Sequence, residues 1–152
     1  MLNLADTVWQ SHERAGVWSD FDGGDFEQLG IGVHVLYPGQ PNGRYHSETS
    51  QEDFLVLSGE CILIVNGEER RLRQWDFFHA SPGTYHIRIG AGEGPCAILM
   101  VGARREDNKI HYPHDEVAAR YDASSPEDTN DSRVAYSDWS REFPRVRSPW
   151  PV

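Results

Sequence analysis

From Ile31 to Gly102 short apolar runs recur about every ten residues, each closed by turn-forming residues, and this rhythm limits the fold more than any other feature. The runs are IGVHVLY, FLVLS, CILIV, DFFHA, YHIRI and CAILMVG, separated by Pro38-Gly39, Asn42-Gly43, Ser58-Gly59, Asn66-Gly67 and Pro82-Gly83. None is long enough for a helix of ordinary length, and β-branched and aromatic residues fill them. Asn66-Gly67, between CILIV and EERRL, predicts a two-residue hairpin, because both residues tolerate the positive φ such a turn needs. FLVLS and CILIV are apolar on both faces, so one face lines an interior and the other meets a second layer. Many short strands with regular Gly/Pro punctuation describe an all-β barrel or jelly roll.

The flanks read differently. Residues 1–27 form a mixed N-terminal flank, and Asp20–Asp25 (DFDGGD) is expected to be a loop. Residues 28–103 hold the barrel, and 104–152 a polar, helical extension. In that extension HDEVAARY predicts a short helix, and Ser125-Pro126-Glu127-Asp128 carries the signals of another helix start. The Pro-rich tail REFPRVRSPWPV is extended, either over the barrel or toward a neighbour. At 152 residues one domain with a real core is expected. Fourteen basic residues face 24 acidic ones, a net charge of −10, which disfavours nucleic acid and anionic membranes as partners. No apolar stretch has membrane-spanning length and the first residues lack a secretory signal, so a cytoplasmic location is expected. Cys61 and Cys96 each lie in an apolar run and read as buried free thiols.

The stretch YHSETSQEDF suggests chemistry. If it is extended, His46 and Glu48 share a face, and Glu52 follows after a bend. An imidazole with one or two carboxylates on one wall begins a divalent-metal site. The histidine still missing is offered by PGTYHIRI, where His86 opens a strand after a Pro-Gly turn. Other candidates have plainer readings. Tyr45, Gln51 and His79 are expected at strand edges or in packing. His111 and His114 lie in a solvated linker, and Glu68–Arg73 form an exposed hairpin arm. Trp9, Trp18 and Trp75 are expected to pack, Trp18 with the option of capping the barrel mouth.

These residues resemble the two motifs of the cupin superfamily, over roughly residues 28–103. His46, Glu52 and Gly59 fall where the first motif has its first histidine, its glutamate and its closing glycine; Gly83 and His86 fall in the second. Glu48 stands where that motif has a second histidine, Trp75 replaces the leading glycine of the second motif, and Gly90 its asparagine. The resemblance implies a double-stranded β-helix (jelly-roll barrel) with short helical N- and C-terminal flanks. It also implies one divalent metal ion (Mn, Fe, Zn or Ni) on His46, Glu52 and His86, with Glu48 a fourth ligand or the catalytic base. The protein is then expected to be a metal-dependent enzyme of oxygenase, isomerase or lyase type acting on a small oxygen-rich molecule. The alternative is a non-catalytic, metal-free cupin that binds or senses a small ligand. A homodimer is expected by the same resemblance.

Overall fold

A computed structural model of the chain describes residues 1–21 and 26–150, so most of the loop expected over Asp20–Asp25 lies outside the described residues. The strands run in the order β1 (Trp9–His12), β2 (Gly16–Ser19), β3 (Leu29–Leu36), β4 (Ser47–Glu48), β5 (Glu52–Ser58) and β6 (Glu60–Val65). They continue with β7 (Glu68–Arg73), β8 (Phe77–Ala80), β9 (His86–Ala91), β10 (Cys96–Ala103), β11 (Ile110–His111) and β12 (Arg145–Val146). Two single-turn helices, α1 (Glu116–Ala119) and α2 (Ser132–Ala135), lie in the C-terminal extension. All six apolar runs contribute strands, and the chain is all-β with few short helices.

A seven-stranded sheet, ordered β12-β1-β2-β3-β10-β5-β8, faces a three-stranded sheet, β7-β6-β9, while β4 pairs with β11 at one end. The pleat sorts side chains between an interior and an outer layer. Phe54, Val56, Cys61, Leu36, Cys96 and Ile98, drawn from both sheets, pack together between them. Ile87 and Ile89 point the other way and meet Ala118 and Ala123 of the C-terminal extension. Val33, Val35 and Ala97 meet Trp9, Leu4 and the tail residues Val146 and Trp150. The two-sided apolarity of the central strands is thereby satisfied.

The hairpin at Asn66-Gly67 forms as predicted, with φ of 47° and 78°. Gly59 shows why a glycine closes the first motif. Its φ is +73°, and a Cβ there would sit 2.3 Å from the Pro95 carbonyl oxygen. Cys61 and Cys96 are buried and free.

The flanks follow expectation in part, since the helix expected in HDEVAARY forms as α1. Among the described residues the N-terminal flank holds one 3-10 turn (Leu4–Asp6), but its main contribution is β1 and β2, which extend the large sheet. The tail stays on its own barrel, where Val146 pairs with Trp9 and Arg145 with Gln10. The helix start expected at Ser125 does not form. Ser125 is buried and its hydroxyl donates to the Glu127 carbonyl oxygen at 2.6 Å, and no helix follows it directly. The helix begins instead at α2, where the Asp131 carboxylate accepts from Arg133 N. Trp75 does not pack inward; it is 68% exposed.

Candidate metal centre

His46 and His86 come together through backbone pairing. His86 N donates to His46 O at 2.8 Å and His46 N to His86 O at 3.3 Å, forming an antiparallel bridge. Directly opposed residues on neighbouring strands put their side chains on one face, and the two imidazole centroids are 5.0 Å apart. Glu52 arrives at the start of β5, whose alternation carries Glu52, Phe54 and Val56 to the same interior.

Each ring is oriented by a backbone carbonyl. His46 Nδ1 lies 2.6 Å from Arg44 O, and His86 Nδ1 2.9 Å from Thr84 O. A carbonyl only accepts, so each Nδ1 carries the proton and each Nε2 presents a lone pair to the interior. Those lone pairs meet Glu52. Its Oε2 is 3.0 Å from His86 Nε2 and 3.6 Å from His46 Nε2. One ligand atom from each of the three residues lies within 4.8 Å of the others, a spacing that could hold a metal ion. Glu52 Oε2 and His86 Nε2 are both buried, and neither has a hydrogen-bond partner.

Burial pushes the Glu52 carboxyl up; a proton carried on the Nε2 of His46 or His86 and donated to it, together with the Arg88 charge, would pull it the other way, well below the usual carboxylate range. Burial pushes His86 down, against the pull of Glu52, so its neutral form is favoured. Glu48 differs. Burial and the neighbouring Glu52 carboxylate raise it, while one of its oxygens accepts from Asn108 Nδ2 at 2.7 Å. Its other oxygen is 3.7 Å from His46 Nε2, at the edge of the cluster and outside the group of three.

The cluster opens on a cleft of about 670 Å³, within the size range of small-molecule sites. Trp18, Phe143 and Trp139 stand in its wall with Arg88, His46 and Glu52. Trp18 thus lines the cleft, its ring 5.5 Å from that of His34. His12 and His34 also line the cleft, whereas the other histidines lie elsewhere. His79 is paired with Asp53 at 2.7 Å on an exposed edge. The ring nitrogens of His111 and His114 bond separate partners, Tyr85 and the Ser125 carbonyl. Tyr45 is buried and its hydroxyl accepts from Gly67 N.

Arg88 and Asn108 escaped the sequence reading. Arg88 is an arginine inside an apolar run, two positions from His86 on one strand face, which was the one available signal. For Asn108, in a polar linker, there was none.

Two facing sheets around a His/Glu cluster define a small β-barrel with an internal site, and comparison with known proteins says which. Residues 32–102 match the Cupin domain family, so this stretch of the chain is a cupin domain. No curated protein matches the chain in sequence. Among solved structures it is similar to a provisionally named sugar phosphate isomerase from Acidithiobacillus ferrooxidans, at TM-score 0.53 and 22% identity over 57% of this chain. The chain spans 56% of the length of that protein. It is also similar to a cupin-superfamily sugar phosphate isomerase from Silicibacter pomeroyi (TM-score 0.58, 17% identity, 97% of this chain and 80% of that one). A third similar structure is the polyketide cyclase RemF from Streptomyces resistomycificus (TM-score 0.60, 13% identity, 71% of this chain and 82% of that one). At these identities the likeness is one of fold.

Proposed function

We propose that His46 Nε2, His86 Nε2 and Glu52 hold one divalent metal ion, and that the protein is a metal-dependent enzyme acting on a small oxygen-rich molecule. The observation that carries this is the buried pair Glu52 Oε2 and His86 Nε2, acceptor against acceptor at 3.0 Å with no hydrogen bond to either. Left so, each atom costs about 1–3 kcal/mol in lost solvation, more for the ionised oxygen. A cation between them removes that cost. A proton on His86 Nε2 would serve, but burial disfavours the imidazolium, whereas two imidazoles and a carboxylate suit a first-row divalent ion. The mixed N/O set fits Mn or Fe, and accepts Zn or Ni.

When bound, such an ion polarises a carbonyl oxygen or lowers the pKa of water. The chain's own residues do the rest. Glu48, raised by burial and steadied by Asn108, is placed either to complete the ligand set or to take and return a proton beside the cluster. Trp18 and Trp139 give the cleft an apolar wall against which a bound molecule would shed water. The activities named for the similar structures, isomerase and cyclase, support chemistry on a small molecule, of which the isomerase type is the nearest to hand. The test is elemental analysis of untagged protein purified without chelator. Near-stoichiometric metal is expected, lost in His46→Ala and His86→Ala. Less than about 0.1 equivalent in a loaded wild type would leave the metal-free binding cupin, and retention by both variants would move the site.

A cytoplasmic homodimer belongs to the same proposal. Two buried free thiols suit a reducing compartment, and Trp75 and Phe77 are exposed beside and on edge strand β8. Sedimentation of Phe77→Ser should show monomer; an unchanged dimer would place the contact elsewhere.

A further inference from the structure

The interior holds a second unsatisfied group, the guanidinium of Arg88. Its side chain is 2% exposed, on β9. Arg44 shows what the fold does with a structural arginine. That side chain is equally buried, and it donates to Ala135 O at 3.0 Å, Asp122 O at 3.0 Å, Ser124 O at 2.7 Å and the Asp138 carboxylate. Arg88 has none of this. Its Nε and Nη1 have no acceptor, and Nη2 reaches only the Met100 sulfur, at 3.8 Å. A guanidinium keeps its charge at neutral pH, so these donors belong to a cation.

Packing does not account for it. The guanidinium lies 3.5 Å over the Phe54 ring. Stacking of that kind engages the flat face of the group and leaves its in-plane N–H donors free. Those donors belong to a side chain lining the same cleft as His46 and Glu52. A divalent ion beside them would leave the pocket net positive even with both Glu48 and Glu52 ionised. What satisfies planar donors in a positive pocket is a planar anion, and the wall contributed by Trp18, Ile31 and Phe143 suits a flat apolar body behind it.

We propose that Arg88 anchors the carboxylate of a small organic acid whose apolar body lies along the aromatic wall of the cleft. This rests on the metal centre proposed above only for the extra positive charge beside Arg88.

The probe is benzoate, compared with its neutral analogue benzamide, by calorimetry on metal-loaded full-length protein. Hydrogen bonds to a charged group predict that benzoate binds at least about tenfold more tightly. Equal affinity, or no binding of either at millimolar concentration, overturns the anchor. Arg88→Met should abolish the preference, and unchanged benzoate affinity overturns the assignment. Where Arg88→Met does not fold, Arg88→Lys decides. It keeps the charge without the planar fork, so weakened binding supports the anchor and unchanged binding overturns it. Inorganic phosphate that binds more tightly than benzoate overturns the carboxylate class. Metal content is measured on the same samples. Full metal without benzoate preference removes the anchor alone; benzoate preference in a chain that takes no metal removes the metal centre alone.

Discussion

His34 should make the protein acid-sensitive by an amount that can be worked out. It is buried inside the barrel, where its Nε2–H donates to the Ala15 carbonyl at 2.6 Å. Burial lowers its pKa from 6.5 to about 4, the Ala15 bond opposing this and Arg88 adding to it. In the unfolded chain the ring takes a proton near pH 6.5; in the folded chain it does not until about pH 4. Below pH 6.5 the unfolded state thus binds more protons, and stability falls with pH until the folded group titrates as well. At about 1.4 kcal/mol per pH unit, the loss from this residue is about 2 kcal/mol at pH 5 and about 3 kcal/mol at pH 4. Urea unfolding of chelator-treated protein at a series of pH values gives the wild-type slope. His34→Gln, whose amide also donates to a carbonyl, removes the titration while keeping the bond. The variant should lose about 2 kcal/mol less than wild type between pH 7.5 and pH 5. If the two slopes agree within about 0.5 kcal/mol, His34 is not held neutral by the fold.

Three further outcomes are expected. Gly59→Ala puts a Cβ 2.3 Å from the Pro95 carbonyl at positive φ, and should lower stability by about 1–3 kcal/mol in denaturant titration; an unchanged midpoint would show that the turn relaxes freely. Arg44→Met strands the carbonyls of Ala135, Asp122 and Ser124, and should cost about 3 kcal/mol and expose the C-terminal extension to protease, whereas wild-type resistance would mean that other contacts hold that segment. Glu48→Gln can still accept from Asn108 and should keep stability within about 0.5 kcal/mol, while weakening metal affinity or turnover; if both are unchanged, Glu48 has no part in the centre.

What the sequence made legible was local or strongly patterned. The central strands announced themselves by length and punctuation, and the Asn66-Gly67 turn by backbone chemistry. His46 and His86 lie forty residues apart, and only the motif spacing joined them before the antiparallel bridge could be seen. Segments whose structure is decided by distant partners were not legible. WQSH and GVWS carry no clear alternation; they become strands because β3 offers an edge. Arg88 has no reading at all in YHIRI, and only Phe54 and Met100 of the facing sheet, packed against its guanidinium, reveal it as an interior residue. Ser125 has the right neighbours for a cap, yet no helix follows it directly.

The matched family region, residues 32–102, contains His46, Glu52, His86 and Arg88, whereas Trp18 and the Trp139–Phe143 wall come from the two ends of the chain. The groups that would do the work and the groups that would choose the guest are thus written on separable stretches of sequence. Changes confined to the ends can re-shape the opening for a different molecule and leave the centre undisturbed. A protein trimmed to its recognisable middle would keep its ligands and forget what they were for.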